Sequence, residues 1–176
     1  MMVRGTFANV RLVNKLMDRP GPQTVHIPSN KVMDIYDAAE KYMQDKRDLI
    51  VIAGKEYGTG SARDWAAKGP SLLGIRAVIA QSFERIHRSN LICMGILPLE
   101  FNEGESADSL GLSGKETFDI DLNNGDLKPG EELEVKASNG KRFKVKCRIE
   151  TEVEAAYFKN GGILRFVIRK MLSKKN

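Results

Sequence analysis

The sequence predicts an α/β fold in which a parallel β-α-β-α-β part is followed by antiparallel strands and a closing pair of helices. Three observations carry that expectation. The apolar runs Leu49-Ile-Val-Ile-Ala53, Ile75-Arg-Ala-Val-Ile-Ala80 and Leu97-Pro-Leu99 are separated by helically spaced segments with short joins, which is the grammar of a parallel sheet. From about Phe101 the texture changes to alternating apolar and polar residues, as in half-exposed strands. Asn139-Gly140 stands between two of those runs and is a strong hairpin signal.

In chain order, Arg4-Gly5 is followed by Phe7, Val10, Leu12, Val13 and Leu16, a spacing that predicts a short amphipathic helix from about Phe7. A buried face this close to the start suggests a cut chain. Arg19-Pro-Gly-Pro22 breaks that helix, and Thr24-Val-His-Ile27 reads as a short strand ended by Pro28. His26 is most simply a strand residue with a polar edge. Val32, Ile35, Tyr36, Ala39 and Met43 recur at three and four residues and predict a helix over 32–44.

The run from Leu49 leads without a turn residue into Gly54-Lys-Glu-Tyr-Gly-Thr-Gly-Ser-Ala-Arg-Asp-Trp-Ala66, a strand, a glycine-rich turn and a helix start. Ser61 is the expected N-cap, and Gly58 and Gly60 supply the backbone freedom of a tight reversal. Free amides and the positive helix end make such a loop an anion site, and Arg63 adds a guanidinium able to grip a carboxylate with two hydrogen bonds. The expected guest is a small, multiply charged acid or a phosphate. The loop is no P-loop, because no Gly-Lys-Ser/Thr follows at that spacing; GxGxxG fails because position 63 is Arg, and a GxSxG elbow because Ala62 and Arg63 follow Ser61.

Beyond it, Lys68-Gly-Pro70 should end the first helical stretch, and the next helix should run from a Ser82 cap to Ile92. In a parallel sheet, ligands gather at the carboxyl ends of the strands, where Gly58 to Ser61 falls. Strands are expected over 117–122, 132–136 and 143–149, and helices over 153–159 and 163–172, split by Asn160-Gly-Gly162. The helix pair is expected to cover the antiparallel strands.

The chain has 176 residues and a formal charge of +5, enough for one domain with a real core and too mild a charge to demand a nucleic-acid partner. Part of that charge sits in Arg169-Lys170 and Lys174-Lys175, most simply a solvated helix end. No apolar run approaches a membrane span, and the first residues lack a secretion signal's order, so a reducing, cytoplasmic setting without a membrane is expected. Cys93 and Cys147 stand far apart with no CxxC or His cluster, so no metal site within the chain is expected, and both read as buried thiols.

Gly54 to Arg63, Asp64-Trp-Ala-Ala-Lys-Gly69, Ser82-Phe-Glu-Arg-Ile-His-Arg-Ser-Asn90 and Asn160-Gly-Gly-Ile-Leu164 together resemble the C-terminal domain of aconitase, in the branch of bacterial aconitase A and the cytosolic aconitase/iron regulatory proteins. The resemblance runs along essentially the whole chain. It implies a swivelling three-layer β/β/α domain, with a mainly parallel sheet, a smaller antiparallel one and flanking helices. Residues 1–100 would form the parallel part, with the active-site loop at 54–66, and 101–176 the antiparallel strands and last helices, the whole excised from a longer enzyme. The implied reaction is isomerisation of citrate and isocitrate through cis-aconitate at a cubane iron-sulfur cluster. By motif Ser61 matches the catalytic serine whose alkoxide takes the substrate proton, Arg63 matches a carboxylate-binding arginine, and Arg4 matches a second one. Ala62 stands where the family usually has another serine. If that hydroxyl bonds substrate, about 1 kcal/mol or somewhat more is lost; otherwise Ala62 supplies its backbone amide alone. The family's cluster is held by cysteines of earlier domains, so none would be bound by this chain, which alone should be silent and in the parent enzyme should close over the cluster domains.

Two further readings come with the resemblance. Relatives in this branch bind stem-loop RNA, and here Arg11 and Lys15, one helical turn apart, with Asp64 and Trp65 beside a basic loop, would be the contacts, unless Trp65 is simply packed. The isopropylmalate isomerases also resemble aconitase, and in them a separate small subunit pairs with a cluster-bearing one. His87 follows on the helix after Ala80 and either orients the loop or fills space; the sequence leaves both open.

Overall fold

A computed structural model describes residues 2–60, 64–122 and 127–173. A two-stranded antiparallel sheet pairs β1 (Gln23–His26) with β2 (Lys31–Asp34), and α1 (Ile35–Gln44) follows at once. The main sheet has six strands in the order β3-β4-β5-β8-β7-β6: β3 (Leu49–Ala53), β4 (Ile75–Ala80), β5 (Leu97–Phe101), β6 (Phe118–Ile120), β7 (Glu132–Ala137) and β8 (Arg142–Cys147). Helices α2 (Trp65–Leu72) and α3 (Arg85–Cys93) connect the parallel strands, and α4 (Glu152–Lys159) and α5 (Ile163–Ser173) close the fold.

The α/β class, with a parallel part, an antiparallel part and flanking helices, is as the sequence predicts. Both parts belong to one mixed sheet. Strands β3, β4 and β5 are parallel, and β5 then pairs antiparallel with β8 through Leu99↔Cys147, Glu100↔Lys146 and Phe101↔Val145. Both faces of β4 are covered: Val78 and Ala80 belong to one apolar cluster, Ala77 and Ile79 to another. That is why its sequence runs almost unbroken in apolar residues. On β7 and β8 only alternate residues are buried, Leu133, Val135 and Ala137 facing Phe143, Val145 and Cys147, while Lys144 reaches Glu132 at 3.3 Å on the outer face.

Two contacts fasten α4 and α5 to α3. A Cβ on Gly95 would lie 2.8 Å from the carbonyl carbon of Gly161, and one on Gly162 2.6 Å from the Cys93 oxygen, so the α4–α5 turn meets the end of α3 backbone to backbone. Arg88, buried on α3, donates to both Glu154 carboxylate oxygens at 2.9 and 3.1 Å and to the Arg148 carbonyl at 2.7 Å. Burial alone would push the Glu154 carboxyl up, but the Arg88 hydrogen bonds, the Glu150 amide and the Arg88 charge outweigh it and leave it lowered.

Several local expectations are corrected. Residues 2–16 form turns and no helix; Phe7 has φ +58 and Val10 and Val13 are exposed, because only part of the segment's apolar set, Phe7 among it, meets the core, while Thr6 lies against Gly69 of α2. Residues 32–34, expected to be helical, pair as β2, and the helix begins at Ile35. Pro70 lies inside α2 without ending it. Helix α4 covers the antiparallel strands with Ala155, Tyr157 and Phe158, but α5 packs on α4, Phe166 against Tyr157 at 5.2 Å. Its Leu164, Val167, Ile168, Met171 and Leu172 form one exposed stripe.

Removing one partner of the buried pair should be costly: Glu154→Ala is expected to lower stability by about 3 kcal/mol in urea unfolding. Because the folded Glu154 pKa is depressed, the wild-type contribution is complete above the unfolded carboxyl value of about 4.3 and fades as pH falls through the lower folded value. The difference between wild type and variant should therefore shrink in acid. Gly162→Ala, at φ +116 with no space for a methyl group, should cost more than about 1 kcal/mol in the same assay.

Candidate functional site

The glycine loop continues β3 past its last residue and is laced to the segment after β4. Gln81 N donates to the Gly54 carbonyl at 3.0 Å, Tyr57 N to Ser82 O at 2.9 Å, and Glu84 N to Tyr57 O at 3.0 Å. Ser82 Oγ accepts from Glu56 N at 2.7 Å. Ser82 therefore holds the loop and does not cap α3. The cap is Glu84, whose carboxylate accepts from His87 N at 2.7 Å; hydrogen bonds from the His87, Ile86 and Arg85 amides hold its pKa down. Thr59 Oγ1 closes the turn by donating to Glu56 O at 2.8 Å.

Gly58 has φ +96 and Gly60 φ +97, the left-handed region that favours glycine. Space imposes a second demand on Gly58, since a Cβ there would lie 2.2 Å from Cγ of His87. His87 is 1% exposed, its ring packs edge-wise with the Tyr57 ring at 5.3 Å, and neither ring nitrogen has a hydrogen-bond partner among the described residues. Burial lowers its pKa, the nearby Glu84 charge pulling weakly the other way, so the ring is neutral at pH 7. Burial also pushes the Tyr57 hydroxyl up to about 12.

The carboxyl ends of all three parallel strands converge here. Gln81 after β4 reaches from the Gly54 side towards the Glu105 carbonyl after β5, at a long 3.5 Å, and Glu105 Oε2 is buried with no partner among the described residues. The arrangement offers a backbone-lined edge at the strand ends, backed by a neutral aromatic floor. Such a place suits an anion that amides recognise.

Ser61, Ala62 and Arg63 lie outside the described residues. Helix α2 is described from Trp65, with Asp64 at the cap position and its carbonyl accepting from the amides of Ala67 and Lys68; the expected Ser61 cap lies outside the described residues. Asp64 is exposed and Trp65 half-buried. Arg4 is engaged with α1: its guanidinium donates to Asp37 at 2.8 Å and lies 4.5 Å above the Tyr36 ring. The helical spacing expected of Arg11 and Lys15 is overturned, because that segment is a series of turns. Arg11 N donates to Asn9 Oδ1, and Lys15 pairs with Asp108 at 2.5 Å. His26, expected at a polar strand edge, is buried against Tyr42 with Nδ1 2.8 Å from Ser29 Oγ.

The described residues do not fit an iron-sulfur cluster. No three His, Cys, Asp or Glu side chains among them form a metal-holding group. Cys147 is buried within β8 and Cys93 is half-buried at the end of α3, with both thiols pushed up by burial, away from the thiolate a metal takes. No helix among the described residues is long and apolar enough to cross a membrane. The role of Ser82 is the one the sequence reading missed; its signal was Glu84, an acid three residues before His87 that competes as the cap.

Residues 1–104 match the aconitase C-terminal domain family, and the chain belongs to that family. The matched span takes in the loop, α2, β4, α3 and β5. Among solved structures, the chain is similar to 3-isopropylmalate dehydratase from Methanocaldococcus jannaschii, at 27% identity and a TM-score of 0.54, over 85% of this chain and 87% of that one.

A buried neutral histidine has a pH signature. The unfolded chain takes up the His87 proton near pH 6.5, whereas the folded chain does so only at a lower value. This part of the stability is complete above about pH 6.5 and is lost as pH falls towards the folded value. Urea midpoints measured from pH 7.5 down to 5 should fall for wild type and fall less for His87→Phe.

Proposed function

We propose that this chain is the C-terminal domain of an aconitate hydratase and supplies one wall of the site that interconverts citrate and isocitrate through cis-aconitate. The observation that supports it is the family match over 1–104, which spans a glycine loop at the carboxyl ends of parallel strands. A tricarboxylate is the guest that such a loop, followed by an arginine, would select. In this reading Ser61 takes the substrate proton, and Arg63 grips a carboxylate with two hydrogen bonds. A serine is a poor base in water, so its use requires amides and cations to lower its pKa. Ala62 offers a backbone amide in place of the usual hydroxyl. Arg4 joins as a second carboxylate ligand by giving up Asp37, an exposed pair of small worth.

The iron-sulfur cluster supplies Lewis-acid chemistry at the substrate hydroxyl in such enzymes, and its ligands belong to other domains of the parent protein in this reading. The chain's own part is to bind, to orient and to exclude water as it closes over those domains. It is silent alone, and its setting is cytoplasmic. The aconitase A and iron regulatory protein branch is the preferred one, on Asp64-Trp-Ala-Ala-Lys68. An RNA role through Arg11, Lys15, Asp64 and Trp65 has less support now that the first two share no helix face.

A second reading is favoured by the 3-isopropylmalate dehydratase likeness, which covers 87% of that chain. Here the chain would be a separate small subunit acting on a hydroxy-diacid. Joining the chain to cluster-bearing aconitase domains and assaying both substrates separates the two. Hydration of cis-aconitate is expected, and turnover of isopropylmalate alone would overturn the aconitase reading. Ser61→Ala should lower kcat by about 10²-fold or more with the cluster's visible absorption unchanged. Arg63→Lys should raise KM about tenfold through loss of the two-pronged grip.

A further inference from the structure

We infer that His87 is a positioning residue of the glycine loop: its ring is the floor on which the Gly58 backbone rests, and it selects the conformation of the loop from Lys55 to Gly60. The contact is ring against main chain. A Cβ on Gly58 would lie 2.2 to 2.4 Å from Cγ, Cδ2 and Cβ of His87, so no side chain separates them and the ring sets the height of the loop. The ring itself is placed by α3, whose first turn is fixed by the Glu84 cap on the His87 amide at 2.7 Å. The loop needs such a support. Glu56, a non-glycine residue at φ +53, holds a conformation that persists only where the surroundings over-determine it, while Gly58 at +96 and Gly60 at +97 have the freedom that lets the chain lie against the ring.

The choice of imidazole over a hydrocarbon ring makes the support sensitive to acid. Neither ring nitrogen has a partner among the described residues, and His87 is 1% exposed. The groups around it give a proton little welcome. Tyr57, from the loop, stays neutral to about pH 12. Glu84 already receives the His87 amide, and Arg88, next on α3, is a cation committed to Glu154 and Glu150. A charged imidazole is accommodated by moving towards water, and that displaces Gly58. The catalytic consequence rests on the functional reading above, in which Ser61 and Arg63 continue this loop; the structural claim does not.

The test uses hydrogen exchange in the full chain, with rates corrected for the intrinsic effect of pH. The reporting amides are Glu56, Tyr57 and Thr59, which donate to Ser82 Oγ, Ser82 O and Glu56 O, and the internal control is β4. At pH 7.5, His87→Ala and Gly58→Ala should each lower loop protection about tenfold while β4 changes by less than about twofold; His87→Phe should keep the loop within about threefold of wild type. At pH 5 wild type should lose loop protection about fivefold and His87→Phe should not. The inference is overturned if the loop is as protected in His87→Ala as in wild type, if loop and β4 loosen together, or if the Phe variant is as acid-sensitive as wild type. In the enzyme rebuilt with its cluster domains, His87→Ala should lower kcat for cis-aconitate hydration about tenfold, with rescue by Phe. A loosened loop with unchanged turnover would leave the positioning role standing and remove the loop from the reaction, which sinks the functional reading instead.

Discussion

Strand β5 has a neighbour on each edge and an apolar layer against it, and that constraint organises the molecule. Its partners are β4 in parallel and β8 in antiparallel register, and Leu97, Leu99 and Phe101 are all buried. A strand so placed cannot slip by one residue without carrying its apolar set out of the core. With β5 fixed, the three parallel strands end at one edge of the sheet. Their following loops meet there, and the chain after β8 returns over α3.

The same edge explains why the loop is so irregular and yet so well held. Sheet-like pairing continues beyond β3 and β4 through Gly54, Tyr57, Ser82 and Glu84, so the main chain is satisfied where regular strand geometry has stopped. This lets the loop turn through left-handed positions while the Tyr57 and Thr59 amides keep backbone partners. Among the described residues, the buried side-chain atoms without a partner are both His87 nitrogens and Glu105 Oε2 at this edge, together with Thr6 Oγ1 and His26 Nε2, so unpaired buried polarity is not confined to it.

Most of the elements were legible. Almost unbroken apolar runs such as Ile75-Arg-Ala-Val-Ile-Ala80 and alternating ones such as Phe143-Lys-Val-Lys-Cys147 announce two-sided and one-sided strands directly, and Asn139-Gly140 marks its hairpin. What misled was helical spacing in short segments. Phe7, Val10, Val13 and Leu16 have a helix period, but the chain there turns at Phe7 and leaves Val10 and Val13 in water. Pro70 reads as a stop, yet within a helix of eight residues it forfeits only one hydrogen bond and stays buried. Ser82 reads as a cap, but its hydroxyl is bonded to a loop amide from another strand.

The sequence by itself determined the strands, their one-sided or two-sided burial and the glycine positions, because these follow from side-chain period and from the freedom glycine has near φ +90. Tertiary structure alone decided partners: that Ser82 holds Glu56, that Arg88 pairs with Glu154, and that the ring under Gly58 is His87. It also decided that α5 turns Phe166 inward and Leu164, Val167 and Met171 outward. Periodicity gives a helix an apolar side, but which side is covered depends on what stands beside it. Local sequence does not record contacts such as that of Ser82 with Glu56 across 26 residues or that of Arg88 with Glu154 across 66.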